Sequence, residues 1–170
     1  MLWGISGAPI NVSLKYAAPI QDVADATSFW PLFLYAIAYR ESISGEIAGL
    51  WPSALTIVAP DNGRGLCQVT PAPWWSDDMN EAWEKIDWTN PNQNAAYAVM
   101  WFLQPAVEYW QPLGNEGTVL IKLVAAEYNA GREKVIAAHA KGDVDLATTN
   151  GYAAAVLGIY ANLLERGVPS

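Results

Sequence analysis

The sequence of 170 residues predicts a mostly α-helical α+β fold, in which a small β-hairpin interrupts a series of helices. Three observations carry that expectation. Hydrophobic residues make up 52% of the chain and charged residues 15%, a balance that favours a packed core over disorder. Apolar residues recur at helical spacing through most of the chain, framed by capping and stopping residues. Residues 50–69 break this pattern with a β-branched run and a turn.

In chain order, Pro31 opens a helix over residues 31–42, with Ser28 as its cap and Gly45 as its stop. Leu34, Ile37, Ala38 and Glu41 share one face of it. The run from Leu55 to Val58, followed by Pro60-Asp61-Asn62-Gly63, predicts the hairpin. A Trp-rich acidic stretch comes next. Asn90-Pro91 then caps a helix that runs to about residue 103, where Pro105 disturbs it. Residues 118–128 form another helix, Gly131 and Gly142 bracket a shorter one, and Asn150 caps a last helix with Tyr152, Val156, Ile159 and Leu163 on its face. No internal repeat or linker divides the chain, so residues 1–170 read as a single domain whose first dozen residues are loosely attached.

Net charge is −8, with −6 of it in residues 41–90 and no Lys/Arg cluster anywhere. That balance excludes binding through nucleic-acid phosphates or anionic lipid headgroups. A lone cysteine, Cys67, rules out an intrachain disulfide, and a lone histidine, His139, leaves too few ligands for a typical zinc site; no metal or cofactor is expected. The longest apolar stretches, residues 31–39 and 153–160, are far shorter than the roughly 20 residues of a membrane span. No basic residue precedes Lys15, so the N-terminus does not read as a signal peptide.

Glu41 is the residue most suggestive of chemistry. At the end of an apolar helix its carboxyl would be short of water, and desolvation favours the protonated form that can give a proton to a leaving oxygen. On its own it reads equally well as a surface glutamate beside Arg40. Two further segments bear on the choice: Gly63-Arg64-Gly65-Leu66-Cys67-Gln68-Val69-Thr70-Pro71, and Ala125-Ala126-Glu127-Tyr128-Asn129-Ala130-Gly131.

Glu41-Ser42, Gly65-Leu66-Cys67-Gln68, Tyr128-Asn129-Ala130-Gly131 and Tyr152, in that order, resemble the motif set of the lysozyme-like superfamily, as found in soluble lytic transglycosylases and goose-type lysozymes. The resemblance spans roughly residues 30–165. It implies a lysozyme-like fold with the hairpin beside a cleft, and cleavage of the β-1,4 link between N-acetylmuramic acid and N-acetylglucosamine in peptidoglycan. Glu41 would be the acid, with Ser42, Gln68, Tyr128, Asn129 and Tyr152 as substrate-binding or orienting residues. Cys67 stands where the family has methionine, which changes packing without supplying a nucleophile. Glu127 replaces a small residue and reads as a helix-end charge.

Asp61 is the candidate second carboxylate of a goose-type hydrolase, and reads equally as an ordinary turn residue. Thr70 stands where goose-type enzymes carry a further aspartate. The motif set favours the transglycosylase, with a catalytically inactive wall-binding or virion module as the reading from another class. Trp51, Trp74, Trp75, Trp83 and Trp88 suit packing for the most part, with one or two on a groove wall. Asp77, Asp78, Glu81, Glu84 and Asp87 suit a solvated face. The implied partner is the glycan strand of a bacterial wall, and the implied source a phage lysin or a domain of a longer protein.

Overall fold

The computed structural model describes residues 14–148 and 150–166. The loosely attached first dozen residues expected from the sequence lie outside them. The described residues form two compact units, one up to Trp101 and one from Phe102 onward.

In the first unit, α1 (Leu14–Thr27) packs on α2 (Pro31–Ala38) and α5 (Pro91–Ala98). Tyr16, Ile20, Val23 and Ala24 are buried at i, i+4, i+7 and i+8, the stripe of an amphipathic helix. Ser28 does not cap α2. Its left-handed backbone (φ 57°) ends α1, and the Phe29 N–H bonds back to Ala24 O at 3.1 Å. Trp30 is the N-cap residue of α2 and Pro31 its first helical position.

Every residue of α2 from Leu32 to Ala38 is buried, so α2 is a central helix and not a one-faced one. Each large apolar side chain buried there contributes about 1.5–3 kcal/mol. The helix widens into a π-helical turn, Tyr39–Ile43, closed by the Ser44 N–H to Tyr39 O, and continues as α3 (Ser44–Ile47). Gly45 therefore does not stop the helix. It makes room for Trp51, whose ring occupies the space a Cβ would need and whose Nε1 donates to Ser42 O at 2.9 Å.

The expected α+β class is overturned, because no strand or sheet forms among the described residues. Residues 50–69 hold two isolated antiparallel bridges, Val58 to Arg64 and Arg64 to Val69. Both fall on Arg64, and the left-handed residues Asn62, Gly65 and Gln68 turn the backbone before a ladder can extend. The mostly helical character does hold. The acidic stretch is itself helical: Ser76 Oγ caps α4 (Asp77–Lys85) by accepting from Met79 N at 3.2 Å, and Asp77 and Asp78 sit in its positive first turn. Asn90 caps α5 as the sequence predicts, its Oδ1 accepting from Asn92 N at 3.0 Å and Gln93 N at 3.2 Å. α5 then passes into a second π-helical turn, Val99–Leu103.

In the second unit, Pro105 lies at the start of α6 (Gln104–Trp110), directly after the π-helical turn, and does not end the helical run. α7 (Gly117–Ala130) is the central element, packed on α6, α8 (Arg132–His139) and α9 (Tyr152–Glu165). Leu120, Leu123, Val124, Val135, Val156 and Leu163 build this core. Asn150 provides no side-chain cap for α9; it and the N-cap Gly151 both take left-handed conformations. Among the described residues no helix is long and apolar enough to cross a membrane.

Candidate active site

The π-helical turn sets the position of Glu41. One extra residue in a turn rotates everything after it by about 100°, so a stripe drawn at 3.6-residue spacing does not carry through. Glu41 is half-buried, whereas Ser42 beside it is fully buried. The Ser42 hydroxyl donates to Leu66 O at 2.5 Å and lies 3.4 Å from Ala38 O. This hydrogen bond joins the Glu41-Ser42 turn to the 65–68 loop.

The loop is a tight reversal. Arg64 and Val69 exchange both backbone bonds, N to O at 3.0 and 3.1 Å, and Gln68 N closes on Gly65 O at 3.2 Å. Gly65 has φ 71°, and a Cβ there would collide with the Trp88 carbonyl oxygen and stand 2.7 Å from Asn94 Nδ2. Gln68 is also left-handed at φ 51°, and its Nε2 donates to Gly65 O at 2.7 Å. With its Nε2 engaged inside the loop, the carboxamide of Gln68 keeps its carbonyl oxygen as an acceptor.

Cys67 is fully buried within the loop. Burial pushes its thiol well above the usual range, and the negative charge of Glu41 adds to that. A thiol so held stays protonated at neutral pH. His139, its conceivable partner, is exposed and stacks edge-on against Trp110 at 5.5 Å.

Asp61 is exposed, and its Oδ1 accepts from Gly63 N at 3.2 Å in an Asx-type turn. Thr70 Oγ1 lies 3.4 Å from Gln68 O on the same reversal. In the second unit, Tyr128 and Asn129 occupy the last turn of α7, Tyr128 half-buried with its ring edge-on to Phe102 at 5.9 Å and Asn129 exposed. Tyr152 is buried in the first turn of α9. Glu127 is fixed by Arg132 and Trp110: Arg132 Nε donates to its Oε1 at 2.9 Å and Trp110 Nε1 to its Oε2 at 2.7 Å. That is a structural role, consistent with a helix-end charge.

The aromatic residues sort themselves by contact. Trp75, Trp83 and Tyr97 form a cluster with centroids 5.0–5.8 Å apart, and burial pushes the Tyr97 hydroxyl up to about 12. Trp88 carries Arg64 over its ring, and Trp74 is 72% exposed. The acidic residues of α4 all face solvent, where Glu81 pairs with Lys85. No group of three or more His, Cys, Asp or Glu among the described residues is arranged to hold a metal ion.

Two residues escaped the sequence reading. Glu46 on α3 accepts from the Tyr16 hydroxyl, from Ala54 N at 2.5 Å and from Lys15 Nζ at 3.0 Å, fastening α1, α3 and the 51–54 segment together. Burial alone would raise its carboxyl, but the bonds from Tyr16, Ala54 and Lys15 outweigh it and hold the group below the ordinary range. Asn94 on α5 is fully buried, and its Oδ1 accepts from Cys67 N at 2.8 Å. An asparagine three residues inside a helix that opens with Asn90-Pro91 was the available signal, because mid-helix asparagine is unfavourable unless its amide is used.

In comparisons with protein-family models, with curated proteins and with solved structures, nothing matches this chain. The class of protein is argued from the site and its motifs.

Proposed function

We propose that this protein is a peptidoglycan-cleaving glycosidase that cuts the β-1,4 link between N-acetylmuramic acid and N-acetylglucosamine by the transglycosylase route. The single observation that carries the proposal is the hydrogen bond from the Ser42 hydroxyl to Leu66 O, which fastens the turn bearing Glu41 to the loop bearing Gln68. Two motif pieces 23 residues apart or more in the sequence are thereby brought into contact, which supports reading them as one site. The substrate class, and the roles of Tyr128, Asn129 and Tyr152, rest on the motif resemblance.

In the proposed reaction Glu41 gives its proton to the glycosidic oxygen as the bond from that oxygen to C1 of muramic acid breaks. Positive charge develops at C1. The C6 hydroxyl of the same sugar adds to C1, and the Glu41 carboxylate takes the hydroxyl proton. A 1,6-anhydro end forms, the acid is regenerated, and no water is consumed. The Gln68 carbonyl oxygen is suited to accept from an N-acetyl N–H. Engagement of Asp61 with the Gly63 N–H favours this route over one that needs a second carboxylate to activate water.

Mass spectrometry of muropeptides released from purified sacculi tests the proposal. Wild type should release products with anhydro ends, and Glu41→Gln, which keeps size and polarity without the transferable proton, should release essentially none while melting at the wild-type temperature. Near-normal release by folded Glu41→Gln would reject Glu41 as the acid.

A further inference from the structure

Among the described residues, the buried polar side chains are Ser42 and Asn94, both with no exposed surface. They come from different helical segments, yet both spend their hydrogen-bonding capacity on one short reversal of the backbone. Ser42 satisfies Leu66 O. Asn94 satisfies both sides of the reversal at once: its Nδ2 donates to Arg64 O at 3.1 Å and its Oδ1 accepts from Cys67 N at 2.8 Å. Burying an amide is unfavourable unless both its donor and its acceptor are matched. Here they are matched by main chain that cannot form a ladder, because the reversal is too tight.

Gly65 shows how close this fit is. The space where its Cβ would stand is already taken by the Asn94 carboxamide and the Trp88 carbonyl. Cys67 and Gln68 follow directly, the one fully buried, the other half-buried with its Nε2 donating to Gly65 O at 2.7 Å. The carboxamide of Asn94 thus fixes the backbone of the loop that carries Gln68 and that Ser42 ties to the Glu41 turn, without being exposed to reach a substrate.

We infer that Asn94 is the positioning residue of this site: it holds the 65–68 loop in the one geometry that sets Gln68 and the surroundings of Glu41, and acts on the reaction through them. The inference rests on the glycosidase reading for its catalytic part. Two variants of the full chain test it. Asn94→Ala removes both bonds. Asn94→Asp keeps the shape and the acceptor for Cys67 N but loses the donor to Arg64 O.

Amide exchange read by NMR, and kcat and KM for muropeptide release normalised to the folded fraction, are measured for wild type and both variants. A loop released by a fraction of an ångström should lower kcat per folded molecule by about 10- to 100-fold, with a much smaller change in KM. The Cys67 and Gln68 amides should exchange at least about tenfold faster, with α7 amides unchanged. A residue that only stabilises the fold would lower the melting temperature and leave kcat per folded molecule alone. Wild-type kcat per folded molecule in either variant, or unaltered exchange at Cys67 and Gln68, overturns the inference. If wild type itself releases no muropeptides, the glycosidase reading falls. The exchange rates then decide the positioning claim by themselves: selective acceleration in the loop supports it and its absence overturns it.

Discussion

Replacing Gly65 with alanine puts the geometry of the loop to a quantitative test. The residue sits at φ 71°, where an L side chain costs about 1–2 kcal/mol. Its new Cβ would also meet the Trp88 carbonyl and the Asn94 carboxamide, neither of which is the far end of a flexible chain. Overpacking of this kind costs a further 1–3 kcal/mol, roughly. Gly49 is the control, because it has nearly the same φ, 72°, with nothing within 4 Å of its Cβ position. The backbone part is common to both, so the difference between Gly65→Ala and Gly49→Ala isolates the collision. For a chain of this size each kcal/mol lowers the melting temperature by about 2–4 °C, and Gly65→Ala should melt about 2–12 °C below Gly49→Ala. Calorimetry or far-ultraviolet circular dichroism at neutral pH measures this. Equal melting temperatures for the two variants would refute the close approach of Trp88 and Asn94 to Gly65.

Glu46 makes a prediction about pH. Its carboxyl is held below the ordinary value of 4.5, so its contribution to stability is fully present above that value and is lost as pH falls through the lower folded value. The melting temperature of Glu46→Gln should therefore be lower than wild type at neutral pH and should fall less steeply on acidification below about pH 5, and parallel curves would reject the Tyr16–Glu46–Lys15 cluster as an acid-sensitive tie. Asp61→Asn should keep much of the lytic activity and the anhydro ends, since the asparagine oxygen can still accept from Gly63 N; a folded but inactive variant in a protein that releases only reducing ends would establish the hydrolase instead. Glu127→Gln should destabilise the fold by about 1–3 kcal/mol, a fall of about 2–12 °C in melting temperature, because it leaves the Arg132 guanidinium without its carboxylate, and an unchanged melt would remove Glu127 from the structural account.

Local chemistry fixed those features that depend on a few neighbouring residues. Asn90-Pro91 specifies a helix start because an asparagine oxygen reaches two free N–H groups and a proline at the first position loses no bond. The pairing of Gly131 with Gly142 and the apolar spacing of residues 118–128 similarly specify α7 and α8 to within a few residues. α1 was not anticipated, although Tyr16, Ile20, Val23 and Ala24 recur at helical spacing, because Pro19 inside it interrupts the pattern. Glu41-Ser42 and Gly65-Leu66-Cys67-Gln68 stood out only through their resemblance, as an ordered set, to a known family's motifs.

Tertiary structure decided the rest. A β-branched run and a turn do not make a strand unless a partner backbone extends alongside, and the left-handed residues at 62, 65 and 68 fold that backbone into a buried reversal instead. A π-helical turn depends on how the helix packs, so the phase at Glu41 could not be read from a fixed period. Ser28, Gly45 and Asn94 each carry a residue type with a familiar local use, yet end α1, accommodate Trp51 and hold a loop 27 residues back in the chain. Local spacing records which residues neighbour one another along the chain. Which buried amide meets which unpaired carbonyl is settled only when distant segments compete for the same few unsatisfied backbone groups.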